Sequence, residues 1–328
     1  ILEDIATRTN GDIYLGVVGP VRTGKSTFIK KFMELLVLPG ITDQEARARA
    51  VDELPQSGAG KTVMTTEPKF IPAEAVPIQV KDGLAAQVRL VDCVGYGVPG
   101  ALGFQEEDVP RMVNTPWFEE AIPFQEAAEI GTQKVINDHS TIGVVVTADA
   151  SITGIGREDY AEAEGRVVAE LQGLGKPFLI IYNTANPDSE AAQQECERLK
   201  ELYNTCVLPL DVAALQQEDV LHILQELLFE FPVSEININL PRWFEELPAT
   251  HWLQRSVEDT LGQSMSQVRR VRDIDELAES ISAAENIASA ELEEMNLGSG
   301  VAQLQVTTEP DLFYKILGEF AGEDIEGE

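Results

Sequence analysis

Gly19-Pro20-Val21-Arg22-Thr23-Gly24-Lys25-Ser26 satisfies G-x-x-x-x-G-K-[ST] at every fixed position. An apolar run, Ile13–Val18, precedes it and reads as a strand, and Thr27–Leu38 continues from it as a helix. That context is what the motif needs. Gly19 and Gly24 let the backbone wrap a chain of phosphates, so that its N–H groups and the helix N-terminus face the anion. Lys25 should reach the β- and γ-phosphates, and Ser26 should ligate Mg²⁺. Arg22, Thr23 and Thr27 complete the set of loop residues expected beside the nucleotide. A second GKT, Gly60-Lys61-Thr62, has Pro55 where such a loop needs its first glycine and no strand before it, so it is a decoy.

Working outward, Asp92 follows the apolar run Val88-Arg89-Leu90-Val91, and Gly95 completes D-x-x-G. An acid ending a buried strand beside a phosphate loop supplies the second protein contact on the Mg²⁺ side, and the glycine offers a backbone N–H to the γ-phosphate. Between the two motifs lies Thr62-Val63-Met64-Thr65-Thr66-Glu67-Pro68. In switch-type NTPases a threonine in this segment closes on Mg²⁺ and the γ-phosphate, and Thr65 or Thr66 is the candidate sensor, with Thr66 the candidate metal ligand. GTPases of this class carry N-K-x-D after a later strand, the Asp accepting two hydrogen bonds from guanine. Here the turn is Asn183-Thr184-Ala185-Asn186. Asn183 and Asn186 are still expected beside the base, but Asn186 has no ionised acceptor and Thr184 replaces the flanking lysine. Guanine selectivity should be lost in favour of ATP. Tyr96 stands directly after Gly95, where many small GTPases orient the attacking water with Gln, so hydrolysis should be slow or assisted.

The remaining pattern is α/β. Ile142–Val146, with Asp149 just beyond, and Pro177–Tyr182 are further strands. Helices are expected over Tyr160–Leu174 and Ser189–Tyr203, then the strand Val207–Leu210 and a closing helix Val220–Phe231. This alternation predicts a mostly parallel sheet, a GTPase-derived P-loop domain over residues 1–235. Residues 39–85 and 95–138, rich in Pro and Gly, do not fit the rhythm and read as long loops, functional or mobile. Residues 236–328 read as a smaller α/β middle domain: a strand Ile236–Leu240, a long helix from Trp252 toward Met295, a strand Val301–Thr307 and a helix Asp311–Phe320. Val268, Val271, Ile274, Leu277 and Ile281 form one stripe of that long helix, a core face or a partner surface.

The net charge of −32 over 328 residues disfavours nucleic acid and anionic headgroups as partners. Arg269, Arg270 and Arg272, the one basic cluster, sit beside Asp273, Asp275 and Glu276 and read as a solvated helix face. No run approaches the roughly 20 apolar residues of a membrane span. Cys93, Cys196 and Cys206 have no C-x-x-C spacing and suit a reducing compartment. The chain opens at Ile1 with nothing like a signal peptide and without Met, so residues before it are expected. Three function classes stay open: an ATPase that builds a polymer, a regulatory GTP/ATP switch of the translation-factor-related class, and a metabolic kinase, for which Arg111 is the one hint of a lid.

Gly11-Asp12-Ile13-Tyr14, Gly19–Thr27, Thr65-Thr66-Glu67-Pro68, Asp92-Cys93-Val94-Gly95-Tyr96, Asn114-Thr115-Pro116-Trp117, Asn239-Leu240-Pro241 and His251-Trp252-Leu253 fall in an order that resembles the stage IV sporulation protein A family. That family comprises coat morphogenetic ATPases of endospore-forming bacteria. The resemblance implies ATP hydrolysis with Mg²⁺, in which Lys25, Asp92 and Thr65/Thr66 match the P-loop lysine, Walker B acid and sensor threonines. It also implies polymerisation of the protein with itself into the basement layer of the spore coat, in the mother-cell cytoplasm at the forespore surface. The attachment there would be peripheral, through a small amphipathic membrane-binding coat peptide, with other coat proteins as partners. Family chains run past position 328, so a C-terminal region is expected beyond the residues given.

Overall fold

The computed structural model of the chain describes residues 1–55, 68–81, 84–99, 105–106, 109–115, 118, 120–323 and 325. Two compact units emerge, Ile1–Glu230 and Phe231–Glu328.

The first unit is built on strands whose side chains are apolar on both faces. Ile142–Ala148 and Phe178–Asn183 are buried at every position, as strands in the middle of a parallel sheet must be. Each fully buried Val, Ile or Leu there contributes about 1.5–3 kcal/mol. The chain runs as helix α1 (Leu2–Arg8), strand β1 (Asp12–Val18), helix α2 (Lys25–Phe32), helix α3 (Gln44–Asp52), strand β2 (Lys69–Lys81) and strand β3 (Leu84–Asp92). It continues through helix α4 (Phe124–Asp138), β4 (Ile142–Ala148), α5 (Arg157–Leu174), β5 (Phe178–Asn183), α6 (Glu190–Tyr203), β6 (Val207–Leu210) and α7 (Gln217–Phe229). The sheet order is β6-β5-β4-β1-β3-β2. Every neighbouring pair is parallel except β2–β3, so β2 is an antiparallel edge strand. The sheet order reverses beside β1, which carries the chain outward to β3 on one side and β4 on the other. Crevices at the carboxyl ends of strands at such a point are where α/β sheets bind ligands.

Two stretches expected as long loops contain regular structure. Residues 39–85 hold α3 and the 13-residue strand β2, and residues 95–138 end in the 15-residue helix α4. Pro72 and Pro77 disguise β2, and an edge strand tolerates them because one row of its N–H groups pairs with nothing in the sheet.

The second unit is a three-stranded sheet with helices. Strand β7 (Glu235–Asn239) lies parallel to β9 (Val301–Thr308), and β8 (Ile287–Asn296) antiparallel to β9, in the order β7-β9-β8. Helices α8 (Trp252–Met265), α9 (Ile274–Ser282) and α10 (Leu312–Ala321) pack their apolar sides into one core with Leu304, Val306 and Ile281. The single helix expected from Trp252 to Met295 is therefore two helices and a strand. The Asp273 carboxylate accepts the backbone N–H groups of Arg269 (2.9 Å) and Arg270 (2.7 Å), which fixes a turn instead of a continued helix. Arg269, Arg270 and Arg272 consequently occupy that turn and not a helix face, and Arg270 pairs with Asp273 at 3.2 Å. Asn286, at φ +69°, then turns the chain into β8. Of the stripe that read as a core face or a partner surface, Val271, Ile274, Leu277 and Ile281 are buried in the core, while Val268 is partly buried and packs against it. Among the described residues no helix is long and apolar enough to cross a membrane.

Candidate nucleotide-binding site

The loop between β1 and α2 is held from below by its own glycines. Gly19 has φ +135°, and a β-carbon there would come within 2.3 Å of the Val146 carbonyl oxygen, so only glycine lets β1 pass β4 this closely. Gly24, at φ +100°, caps α2, whose free N–H groups face the loop. Thr23 is buried and its hydroxyl donates to the Pro20 carbonyl at 3.0 Å, closing the loop on itself. Lys25 opens α2 but is buried, and its ammonium donates to the carbonyls of Pro20 (2.5 Å) and Gly19 (3.3 Å). Burial lowers its pKa, opposed by the nearby Cys93 and Asp92.

Asp92, at the end of β3, accepts a 2.7 Å hydrogen bond from the Ser26 hydroxyl on Oδ2. Its Oδ1 is buried with no hydrogen-bond partner. Burial raises the Asp92 pKa, against the lowering influence of Ser26, Lys25 and Lys69. An orphaned carboxylate oxygen beside a hydroxyl at the mouth of a phosphate loop fits a hard divalent cation. Mg²⁺ takes one or two protein oxygens and completes its shell with water and substrate phosphate. Ser26 and Asp92 would hold it, and it would neutralise charge on the phosphates.

Gly95, at φ +91°, lies hard against the loop: a β-carbon there would meet the Gly19 carbonyl oxygen at 2.2 Å and the Lys25 Nζ at 2.6 Å. The next residue is locked. Tyr96 is buried, its carbonyl accepts the Val21 N–H at 2.9 Å, and its hydroxyl donates to Glu170 of α5. Arg166 lies 5.1 Å over the Tyr96 ring and pairs with Glu129 at 3.0 Å. Burial pushes the Tyr96 phenol far up, and Glu170 adds to it.

The turn after β5, expected from the sequence beside the base, is organised differently. The Asn183 side-chain amide is buried, donating to the Thr23 carbonyl (2.9 Å) and accepting the Val212 N–H (3.1 Å). It ties the phosphate loop to the segment after β6, leaving both ends of the amide engaged with protein. Thr184 is buried and donates to Asp149 Oδ2 at 2.7 Å, while its own oxygen accepts the Asn186 N–H at 3.3 Å. Ser151 also donates to Asp149, and accepts the Ala185 N–H at 2.9 Å. The Asn186 side chain is exposed. Asp149 and Ser151 thus brace the turn, a role sequence reasoning did not assign; the one signal was an acid just past a strand, as at Asp92.

Gly19, Arg22, Thr23, Gly24, Lys25, Ser26, Asp92 and Gly95 are brought together at the loop, Thr27 follows in the first turn of α2, and Asn183 reaches the loop from β5. Thr65 and Thr66 lie outside the described residues.

A glycine-rich loop between a central parallel strand and a helix, an acid closing the neighbouring strand, and D-x-x-G folded against the loop define a P-loop nucleoside triphosphatase of GTPase-derived architecture. Residues 1–232 match the family description "Stage IV sporulation protein A, ATPase domain", and residues 233–328 match "Stage IV sporulation protein A, middle domain". The chain belongs to the stage IV sporulation protein A family, and its first unit is that family's ATPase domain. Relatives bearing that name are 53% identical in Bacillus subtilis (strain 168), 53% in Bacillus anthracis and 50% in Clostridioides difficile (strain 630), each over the whole of this chain. The chain spans 66%, 66% and 67% of those relatives' lengths.

Proposed function

We propose that the chain binds ATP with Mg²⁺ at the β1–α2 loop and hydrolyses it to ADP and phosphate, as the nucleotide-driven part of a spore-coat morphogenetic protein. The observation that carries this reading is the Ser26–Asp92 contact beneath the loop, with Asp92 Oδ1 left unpartnered. In this reading Lys25 leaves the carbonyls of Gly19 and Pro20 for the β- and γ-phosphates. Those carbonyls hold the ammonium near its working position, so little reorganisation is needed. The backbone of Gly19–Ser26 and the start of α2 supply N–H donors, and Arg22, Thr23 and Thr27 line the nucleotide. Gly95 offers its N–H toward the γ-phosphate, and Thr65 or Thr66 closes over it. Asn183 fixes the loop relative to the base-side turn, where Asn186 cannot select guanine as an ionised Asp would.

Self-assembly into the coat's basement layer, a peripheral position at the forespore surface on the mother-cell side, and contact with a small amphipathic membrane-binding peptide and other coat proteins rest on family membership. They extend to the full-length protein, of which this chain is about two thirds. The test is nucleotide-dependent sedimentation of residues 1–328 and of the full-length protein, with ATP hydrolysis followed in parallel. Both should hydrolyse ATP, and only the full-length protein should form large assemblies. An absence of hydrolysis in both would overturn the reading.

A further inference from the structure

Four non-glycine residues among those described have positive φ: Asn10 (54°), Arg22 (64°), Asn204 (47°) and Asn286 (69°). Asparagine tolerates this left-handed region because its short amide bonds locally, whereas other side chains crowd the backbone at a cost of about 1–2 kcal/mol. The chain therefore uses asparagine at three of these positions and arginine at the fourth, inside the phosphate loop. Strain of this kind persists at functional sites where the side chain is needed. Glycine, used at Gly19 and Gly24 of the same loop, would have removed it.

The Arg22 guanidinium is half-buried, whereas Arg47, Arg49, Arg242, Arg255 and Arg269, which also form no ion pair among the described residues, are exposed. The sequence has 56 acidic and 24 basic residues, so a cation in it meets carboxylates readily. Arg157, Arg166, Arg198 and Arg270 all form ion pairs. Arg22, half-buried, makes no hydrogen bond or ion pair to the described residues. Its charge is felt at Tyr160, whose pKa is pushed up by burial and partly pulled back by Thr153 and Arg22. Meanwhile the residue that follows D-x-x-G cannot orient water, because Tyr96 is buried and bonded to Glu170.

We propose that Arg22 is a catalytic residue of the ATPase, an arginine supplied within the loop itself that stabilises charge on the phosphates as the γ-phosphoryl group is transferred. This rests on the nucleotide reading of the loop and adds a role to it. In the step, a water oxygen bonds to the γ-phosphorus while the bond from that phosphorus to the β,γ-bridging oxygen breaks. The electron pair leaves with ADP, and the water's proton passes to the phosphate product or solvent. Arg22 takes no proton. Its planar fork of N–H donors matches phosphate oxygens, and such arginines accelerate transfer by roughly 10³–10⁵-fold.

The test uses Arg22→Gly, Arg22→Lys and the unaltered chain. Arg22→Gly relieves the backbone strain, so it should melt no lower than the unaltered chain, and its ATP affinity should fall far less than its kcat. Its kcat should fall by about 10³-fold. Arg22→Lys keeps the charge without the fork and should remain depressed by about 10²-fold. ADP binding should be tightened by aluminium fluoride in the unaltered chain and not in Arg22→Gly. A kcat for Arg22→Gly within threefold of the unaltered chain would overturn the inference while leaving the nucleotide reading intact. Loss of ATP binding in step with kcat would make Arg22 a ground-state contact and overturn it too. If the unaltered chain neither binds nor hydrolyses ATP, the reading of the loop falls and the inference with it.

Discussion

The phosphate end and the base end of the same sheet are built on different principles. At the end where we place the phosphates, the groups on offer are mostly backbone: N–H groups at the start of α2, and glycines whose lack of Cβ lets Gly19 sit under Val146 and Gly95 sit on Gly19. At the end where we place the base, recognition would depend on side chains, and here those side chains are engaged with the protein, Thr184 with the Asp149 carboxylate and Asn183 with the Thr23 carbonyl and the Val212 N–H. A backbone site reads only that phosphate is present. A side-chain site can change its preferred base by one substitution without disturbing the fold. Asn183 joins the two ends, so it is where the comparison can be broken.

The largest effect is expected at the phosphate end. Lys25→Ala removes a cation that would make charge-assisted bonds to two phosphates, each typically worth about 1.5–3 kcal/mol. ATP affinity measured by calorimetry should fall by roughly 10²–10⁴-fold, and undiminished binding would contradict the site. Asn183→Ala comes next. It leaves the Val212 N–H and the Thr23 carbonyl without partners, at about 1–3 kcal/mol for each buried group. The first unit should melt lower by about 5–10 °C. Affinity for ATP and GTP should weaken together, because the residue positions the loop and reads no base. A selective change in one nucleotide would show that Asn183 contacts the base. Third, Asn186→Asp should raise GTP affinity relative to ATP by roughly tenfold or more, through a restored ionised acceptor. A competition assay in which the unaltered chain already prefers GTP tenfold would refute the account of the turn.

The smallest effect tests the scaffold beneath the base end, where Arg157 bonds Glu164 (2.8 Å) and Glu195 (2.7 Å) and Arg198 bonds Glu195 (2.7 Å). Arg198's hydrogen bonds lower the Glu195 pKa against burial, with Arg157 adding to them. A carboxyl with a lowered folded pKa stabilises the fold above its unfolded value, about 4.3, and that contribution is lost as the pH falls through the folded value. Glu195→Gln should therefore melt slightly below the unaltered chain at neutral pH, with the gap closing under acid. A gap that widens under acid would refute the sign.

Much of this was legible because chemistry restricts residue types at fixed spacing. The loop, Asp92 and Gly95 could be named from the sequence, and β4 and β5 announced themselves as unbroken apolar runs. Strand β2 was hidden by Pro72 and Pro77, which an edge strand admits, Pro72 lying where the register with β3 is interrupted between Ile71 and Val76. Strand β8, with Glu291, Glu293 and Glu294, has helix-favouring composition, and its identity is set by pairing with β9, a partner that local pattern cannot see. The roles of Asp149, Ser151 and Glu170 escaped notice because each acts through a neighbour brought close only by the fold: Thr184, Ala185 and Tyr96 respectively. Arg22 sat inside the motif, but its backbone angle is visible only in three dimensions.

Cys93, Cys196 and Cys206 all lie in the first unit, and all are buried. Burial holds the Cys93 thiol up at about 11 and the Cys196 thiol at about 12, so the thiolate that would react is scarce even if a reagent enters. Alkylation of this chain is therefore a clock for opening of the ATPase domain alone, since the second unit has no thiol to contribute. Cys93 follows Asp92 and lies near Lys25, so its modification would register events at the phosphate loop, while Cys196 on α6 would register the base end. Mass spectrometry of the two alkylated peptides, with and without ATP, resolves which end of the sheet breathes first.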